Sequence, residues 1–177
     1  MPFQHKGVMS AVLYRDKGLG CFNECMQDGW RALGMTTHDR LIYQLFMAQQ
    51  KLRTYIKNAF VRKGLRVTLG QVGILFLLEQ NDGQTMTELS QVMGIDNSTL
   101  TGLVDRLERS GLVTRKPSPT DRRMYRIHIT PEGVSESDKA KPVIKGINEE
   151  IKSGLSNEEI ELFKRVLMSL SQRFGKP

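Results

Sequence analysis

Apolar residues between His38 and Lys63 fall at Leu41, Leu45, Ala48, Leu52, Tyr55 and Ala59. Steps of three and four place them on one face of a long helix, and Gly64 marks its end. Thr68 is placed to cap a second, more uniformly apolar segment, VGILFLLEQ, which predicts a core helix buried on most sides and stopped by the turn Asn81-Asp82-Gly83. Thr85-Met-Thr-Glu88 then has the spacing of a capping box and opens a short helix. Gly94 permits a sharp bend, and Asp96 can cap the helix after it. The apolar set Leu89, Met93, Ile95, Leu100 and Leu103, with the small Ser90 where two helices would cross, meets the steric demands of a helix-turn-helix. With Leu100, Leu103, Val104 and Leu107 turned inward, the second of these helices presents Ser98, Thr101, Asp105 and Arg109, with Asn97 and Thr99 near its start.

After Gly111 the period changes to two. Leu112 to Lys116 reads as a strand, Pro117 to Arg123 as a turn, and Met124 to Thr130 as a strand with alternating Tyr125, Ile127 and Ile129, so a β-hairpin follows the helix-turn-helix as a wing. Pro131 suits the first turn of a helix whose stripe is Ile144, Ile147, Ile151 and Leu155. Ser156-Asn-Glu-Glu159 opens a last helix with Ile160, Phe163, Leu167, Leu170 and Phe174 on one side. The fold class is therefore mainly α (α+β). The stripes near the two ends of the chain exceed what so small a domain can cover, which predicts an intermolecular helical interface; plain core is the competing use of such a stripe.

Composition narrows the field without deciding it. The 177 residues are 39% hydrophobic and 25% charged, and no apolar run reaches the roughly 18 residues of a membrane span, which reads as a soluble cytoplasmic protein without a secretory signal. Cys21 and Cys25 have no companion cluster for zinc, and His5, His38 and His128 are scattered, so neither a metal, a cofactor nor a catalytic grouping is expected and the chain does not read as an enzyme. The net charge of +7 is unevenly spread: residues 35–66 hold seven Lys/Arg against one acid, and 96–130 hold seven against four.

That distribution gives the helix-turn-helix a chemistry. Short hydroxyl and amide groups at Asn97, Ser98, Thr99 and Thr101 suit close approach to a duplex, where they can bond phosphate or base edges and the helix fits the major groove. The same residues are also good caps, so this feature alone leaves both uses open. The hairpin adds Arg115, Lys116, Arg122, Arg123 and Arg126 against the single acid Asp121. Arginine at a protruding tip can enter the minor groove, and Asp121 beside it can fix the guanidinium's direction.

The stretches STLTGLVDRLERSGLVTR and DRRMYRIHITPEG resemble the MarR (multiple antibiotic resistance regulator) family of winged helix-turn-helix transcription factors, over roughly His38 to Phe174. The resemblance implies a homodimer whose first long helix and last two helices interleave, with two lobes on successive half-sites of a pseudo-palindromic operator in double-stranded DNA. It implies a repressor released by a small aromatic or phenolic effector, or by cysteine oxidation. The expected division is a MarR-type domain over 35–175, with a DNA-binding lobe at 67–131 and dimerisation helices at 38–63 and 132–175; residues 1–34 are an extension whose role stays open. The DNA-binding residues it implies are Ser98, Thr99 and Thr101 in the major groove, Arg106 as a phosphate contact, and Arg122 or Arg123 in the minor groove with Asp121 as its brace; the residue pattern itself adds Asn97 and Lys116. Tyr43, Phe46, Tyr55 and Phe76, with Phe60 nearby, could line an effector pocket, although aromatics at helical spacing equally serve a core. A winged helix serving only as a protein-docking module is the alternative; it would favour an acidic or apolar face where Ser98, Thr99 and Thr101 stand.

Overall fold

Periodicity and capping translate directly into the helices of the computed structural model, which describes residues 41–119 and 124–175. The elements run α1 (Leu41–Arg62), α2 (Leu69–Gln80), β1 (Gln84–Thr85), α3 (Met86–Met93), α4 (Asn97–Arg109), β2 (Val113–Pro117), β3 (Tyr125–Ile129), α5 (Pro131–Lys152) and α6 (Asn157–Phe174). Among the described residues the architecture is helical with one small sheet, as expected for a winged helix-turn-helix. None of its helices is long and apolar enough to cross a membrane.

The chain divides into two units at Gln50/Lys51, within α1. In the first unit, Leu41, Ile42 and Leu45 of α1 are exposed. In the second unit, α1 buries Ile56, Ala59 and Phe60 but leaves Leu52 and Tyr55 outside, so Phe60 is a core side chain. Gly64 ends the helix at φ +69, a conformation that side chains with a Cβ rarely adopt.

Helix α2 is the centre of the second unit. Thr68 accepts the Gln71 amide while Gln71 reaches back to the Thr68 amide, and Val72, Ile74, Leu75 and Leu78 are fully buried. It packs against α5, α4, α3 and β3. The Thr85–Glu88 capping box starts α3, and Gly94 turns the chain at φ +62 into α4, whose Leu100, Val104 and Leu107 are buried. One large cluster joins these side chains to Leu89, Leu112, Val113, Ile127, Ala140 and Ile147.

The sheet order is β1-β3-β2, both pairings antiparallel. Periodicity places the wing strands correctly to within a residue: β2 starts at Val113 and keeps Pro117, which pairs with Tyr125 on an edge strand where its missing amide proton costs little. β1 is too short to carry a period and is absent from the sequence reading, yet it ties Gln84 and Thr85 to Ile127 and Arg126. Helix α5 buries Gly133, Glu136, Ser137 and Ala140 along with Ile147, so its first half meets the core through small and polar residues. The Glu136 carboxylate accepts the Arg66 amide at 2.7 Å. Helix α6 buries none of its residues: Ile160 and Leu170 are half-buried, and Leu162, Phe163, Val166, Leu167, Met168 and Phe174 stand exposed.

Candidate nucleic-acid interface

The start of α4 is organised around Asp96. Its carboxylate accepts the Ser98 hydroxyl at 2.5 Å, the Thr99 amide at 2.8 Å and the Thr99 hydroxyl at 2.9 Å. These bonds, the Ser98 hydroxyl foremost, hold the carboxyl far below its ordinary 3.8. One turn on, the Thr101 hydroxyl donates to the Asn97 carbonyl at 2.7 Å. Asn97, Ser98, Thr99 and Thr101 are all exposed, so the structure brings these four predicted residues onto one open helix end. Each hydroxyl spends its proton within its own turn, which leaves it acceptor lone pairs on an exposed residue. Such a surface is suited to donors on the duplex, such as the exocyclic amino groups of adenine and cytosine in the major groove. A phosphate approaching the Thr99 amide would instead compete with the tethered Asp96 carboxylate.

Arg106 is exposed and has no ion-pair partner among the described residues, which suits a phosphate contact on the flank of α4. Asp105 is turned differently from what helical spacing suggested. It meets Arg115 of β2 at 2.6 Å, and Glu108 holds the other arm of the same guanidinium at 2.6 Å and accepts the Arg115 amide at 3.2 Å. Arg126 donates to the Gly83 carbonyl at 2.8 Å, while Asp82 bonds the His128 ring at 2.8 Å and the Ile129 amide at 2.9 Å. Burial pushes the Asp82 carboxyl up, but those hydrogen bonds outweigh it and leave it below its ordinary value.

Of the hairpin's three described basic residues, Arg115 and Arg126 are therefore engaged within the fold. Lys116 stays exposed, directly across the sheet from Arg126, and the like-charge cost of that pairing is reduced because Arg126 leans onto Gly83. Asp121, Arg122 and Arg123 lie outside the described residues, as do His38, Cys21 and Cys25. Sequence reading missed both tethers of the wing, because their partners are seven, ten and up to 47 residues apart and no local spacing reveals them.

Of the expected effector residues, Tyr55 and Phe76 line different clefts. Tyr55 lines a cleft of about 560 Å³ between α1 and α5, with Arg62, Lys63, Lys139, Gly146 and Glu150. There the Tyr55 hydroxyl donates to Glu150 at 2.7 Å, which raises its pKa, and Arg62 lies 6.0 Å from the ring centre. Phe76 instead lines a cleft of about 460 Å³ with Ile144, Lys145, Lys152 and Lys164. Tyr43 and Phe46 belong to the first unit of the chain. No group of three His, Cys, Asp or Glu able to hold a metal ion occurs among the described residues.

A family model described as the MarR family matches residues 67–125, the span from two residues before α2 to the first residue of β3. A protein named as an uncharacterized HTH-type transcriptional regulator, YsmB of Bacillus subtilis (strain 168), is 36% identical over 105 residues, which cover 59% of this chain and 71% of that protein. The chain belongs to the MarR family. Another relative, named as a transcriptional regulatory protein for the hcr operon of Thauera aromatica, is 35% identical over 104 residues. That match covers 56% of this MarR-family chain and 63% of the relative, so the chain spans less than two thirds of the relative's length. Among solved structures, the transcriptional repressor CouR bound to a 23-mer DNA duplex superposes with a TM-score of 0.67 at 25% identity, covering 74% of this chain and 92% of that one.

Proposed function

We propose that this MarR-family chain is a homodimeric, sequence-specific DNA-binding regulator acting in the cytoplasm, a repressor of a pseudo-palindromic operator, and not an enzyme. The observation that carries the reading is the exposed acceptor-rich end of α4, Asn97, Ser98, Thr99 and Thr101, held next to a hairpin tethered to the same helix. The likeness to a repressor crystallised on a DNA duplex supports the same use of that lobe. In this reading α4 enters the major groove, Arg106 and Lys116 meet phosphates, and Arg122 or Arg123, braced by Asp121, reaches the adjacent minor groove. The lobe is residues 67–131, and the helices at 38–63 and 132–175 join two copies. The apolar side chains left uncovered on α6, among them Phe163, Val166 and Leu167, support that joining.

Release by a small aromatic or phenolic effector belongs to the same proposal. The cleft between α1 and α5 is its best-supported seat, because Tyr55 and Arg62 of α1 offer a ring and a cation and Glu150 of α5 offers an anion facing them.

The test is selection of random duplexes on the purified protein. An enriched inverted repeat with half-sites about one helical turn apart is expected. Recovery of no common sequence would overturn the proposal.

A further inference from the structure

Arg115 sits in a basic hairpin of a DNA-binding lobe, yet its guanidinium is spent on protein. One arm ends on Asp105 and the other on Glu108, each at 2.6 Å, and its backbone amide also donates to Glu108. Its side chain is 26% exposed, less than the 42% of Asp105 and 37% of Glu108, so the acids cover the base. A planar fork held at both arms cannot swing toward a phosphate without breaking two charge-assisted bonds. The trio also carries a net charge of −1 on the lobe that would face a polyanion. It works against affinity through charge, so what it contributes is geometry.

Asp105 and Glu108 lie three residues apart on α4, on adjacent turns, and Arg115 grips both. The direct link from α4 to β2 is short and passes Gly111 at φ +71, while the other side of the hairpin is anchored by Asp82 and Gly83 to β3. Arg115 thus clamps the outer side of α4 to the wing, adding to the hold that the buried Leu100, Val104 and Leu107 have on the turn of that helix about its axis. With side chains about 5 Å from the helix axis, a 20° turn would move the Ser98 and Thr101 oxygens by roughly 2 Å, out of hydrogen-bond range of a base edge.

We infer that Arg115 is a positioning residue that couples the rotation of α4 to the tilt of the hairpin, and so sets sequence discrimination without touching the duplex. The inference rests on the DNA-binding reading of α4. Its test uses the full chain, a duplex selected by the native protein from a random pool, and a scrambled duplex of the same composition. Affinities for both are measured across a range of salt for native protein, Arg115→Gln, and the double variant Asp105→Asn/Glu108→Gln.

The double variant is expected to bind the scrambled duplex more tightly, having lost two negative charges, and the selected duplex more weakly. The selected-to-scrambled ratio falls by about tenfold or more, the scale of one lost base contact. Arg115→Gln is expected to lower the same ratio while leaving the salt dependence unchanged. Combining all three substitutions should cost no more than either set, since they break one unit. A double variant that binds the selected duplex as tightly as the native protein would overturn the inference. So would a salt slope for Arg115→Gln reduced by about 0.9, the signature of one lost phosphate contact. If Arg115→Gln does not fold, the double variant, which retains the arginine, decides alone. A native protein that selects no duplex overturns the DNA-binding reading itself, before any variant is compared.

Discussion

Gly133 occupies the third position of α5, where the helix meets the base of the wing, and Gly133→Ala should be among the most damaging small substitutions in the chain. A methyl group there would stand 2.1 Å from the Leu112 carbonyl oxygen and 2.8 Å from Ile129 Cγ1. Backbone must therefore move by the better part of an ångström, and the backbone in question carries other bonds. The Leu112 carbonyl accepts the Thr130 amide at 3.1 Å, and Thr130 caps α5 while donating its hydroxyl to Gly111 at 2.7 Å. Overpacking costs about 1–3 kcal/mol, and weakening one hydrogen bond and one cap adds about 1 kcal/mol each. Better helix propensity of Ala returns about 0.5–1 kcal/mol, leaving a net loss of about 2–4.5 kcal/mol. Gly146 on the same helix has no heavy atom within 4 Å of the corresponding position, so Gly146→Ala should keep the propensity gain and stabilise by up to about 1 kcal/mol. Urea unfolding followed by far-ultraviolet circular dichroism measures both. Two variants with equal midpoints, or a Gly133→Ala variant within about 0.5 kcal/mol of native, would refute the steric reasoning.

Further outcomes follow from other parts of the fold. Arg106→Ala should weaken binding to selected and scrambled duplexes alike and reduce the salt slope by about 0.9, read by gel-shift titration at several salt concentrations; a loss confined to the selected duplex would assign Arg106 to base reading instead. The Asp82 and Glu88 carboxyls are held below their ordinary 3.8 and 4.5, Glu88 by the Thr85 amide and hydroxyl. Groups depressed in the folded state stabilise fully above those ordinary values and lose that contribution as pH falls through the folded ones. The urea midpoint should therefore drop progressively below about pH 4.5, and a midpoint that rises on acidification would contradict these bonds. Leu167→Glu, on the uncovered side of α6, should turn a dimer into a monomer in sedimentation velocity at micromolar concentration, because burying that apolar side chain is worth about 1.5–3 kcal/mol per copy. Native protein that already sediments as a monomer would remove the basis for this.

What was legible in the sequence is what is local. Thr68, Thr85, Asp96 and Ser156 announce helix starts because a cap and its target amide lie within three residues, and all four cap as expected. Gly64 and Gly94 announce turns because left-handed backbone suits no other residue so well. Contacts at long range were not legible. β1 is two residues long and exists only because β3 is there to pair with it. The inward face of α5 near its start is Gly133, Glu136, Ser137 and Ala140, which no hydrophobic period could mark, and Glu136 is buried there because the Arg66 amide needs an acceptor.

The candidate site shows the same division. Helical spacing set Ser98 and Thr101 on an exposed face correctly, but it could not tell that Asp105 leans to a strand ten residues on. Counting charges gave the hairpin five cations, whereas Arg115 and Arg126 are bound to Glu108, Asp105 and Gly83. Tyr55 and Phe76 share an aromatic pattern in sequence and face different clefts in space.

Protection of guanine N7 from methylation on the selected duplex tests the use of α4 most directly, since that atom lies in the major groove and nowhere else. Two protected tracts one helical turn apart are expected, each lost in the double variant Ser98→Glu/Thr101→Glu, whose carboxylates the phosphates and guanine N7 repel. Unprotected guanines throughout a duplex that the protein demonstrably binds would contradict a recognition helix seated in the major groove.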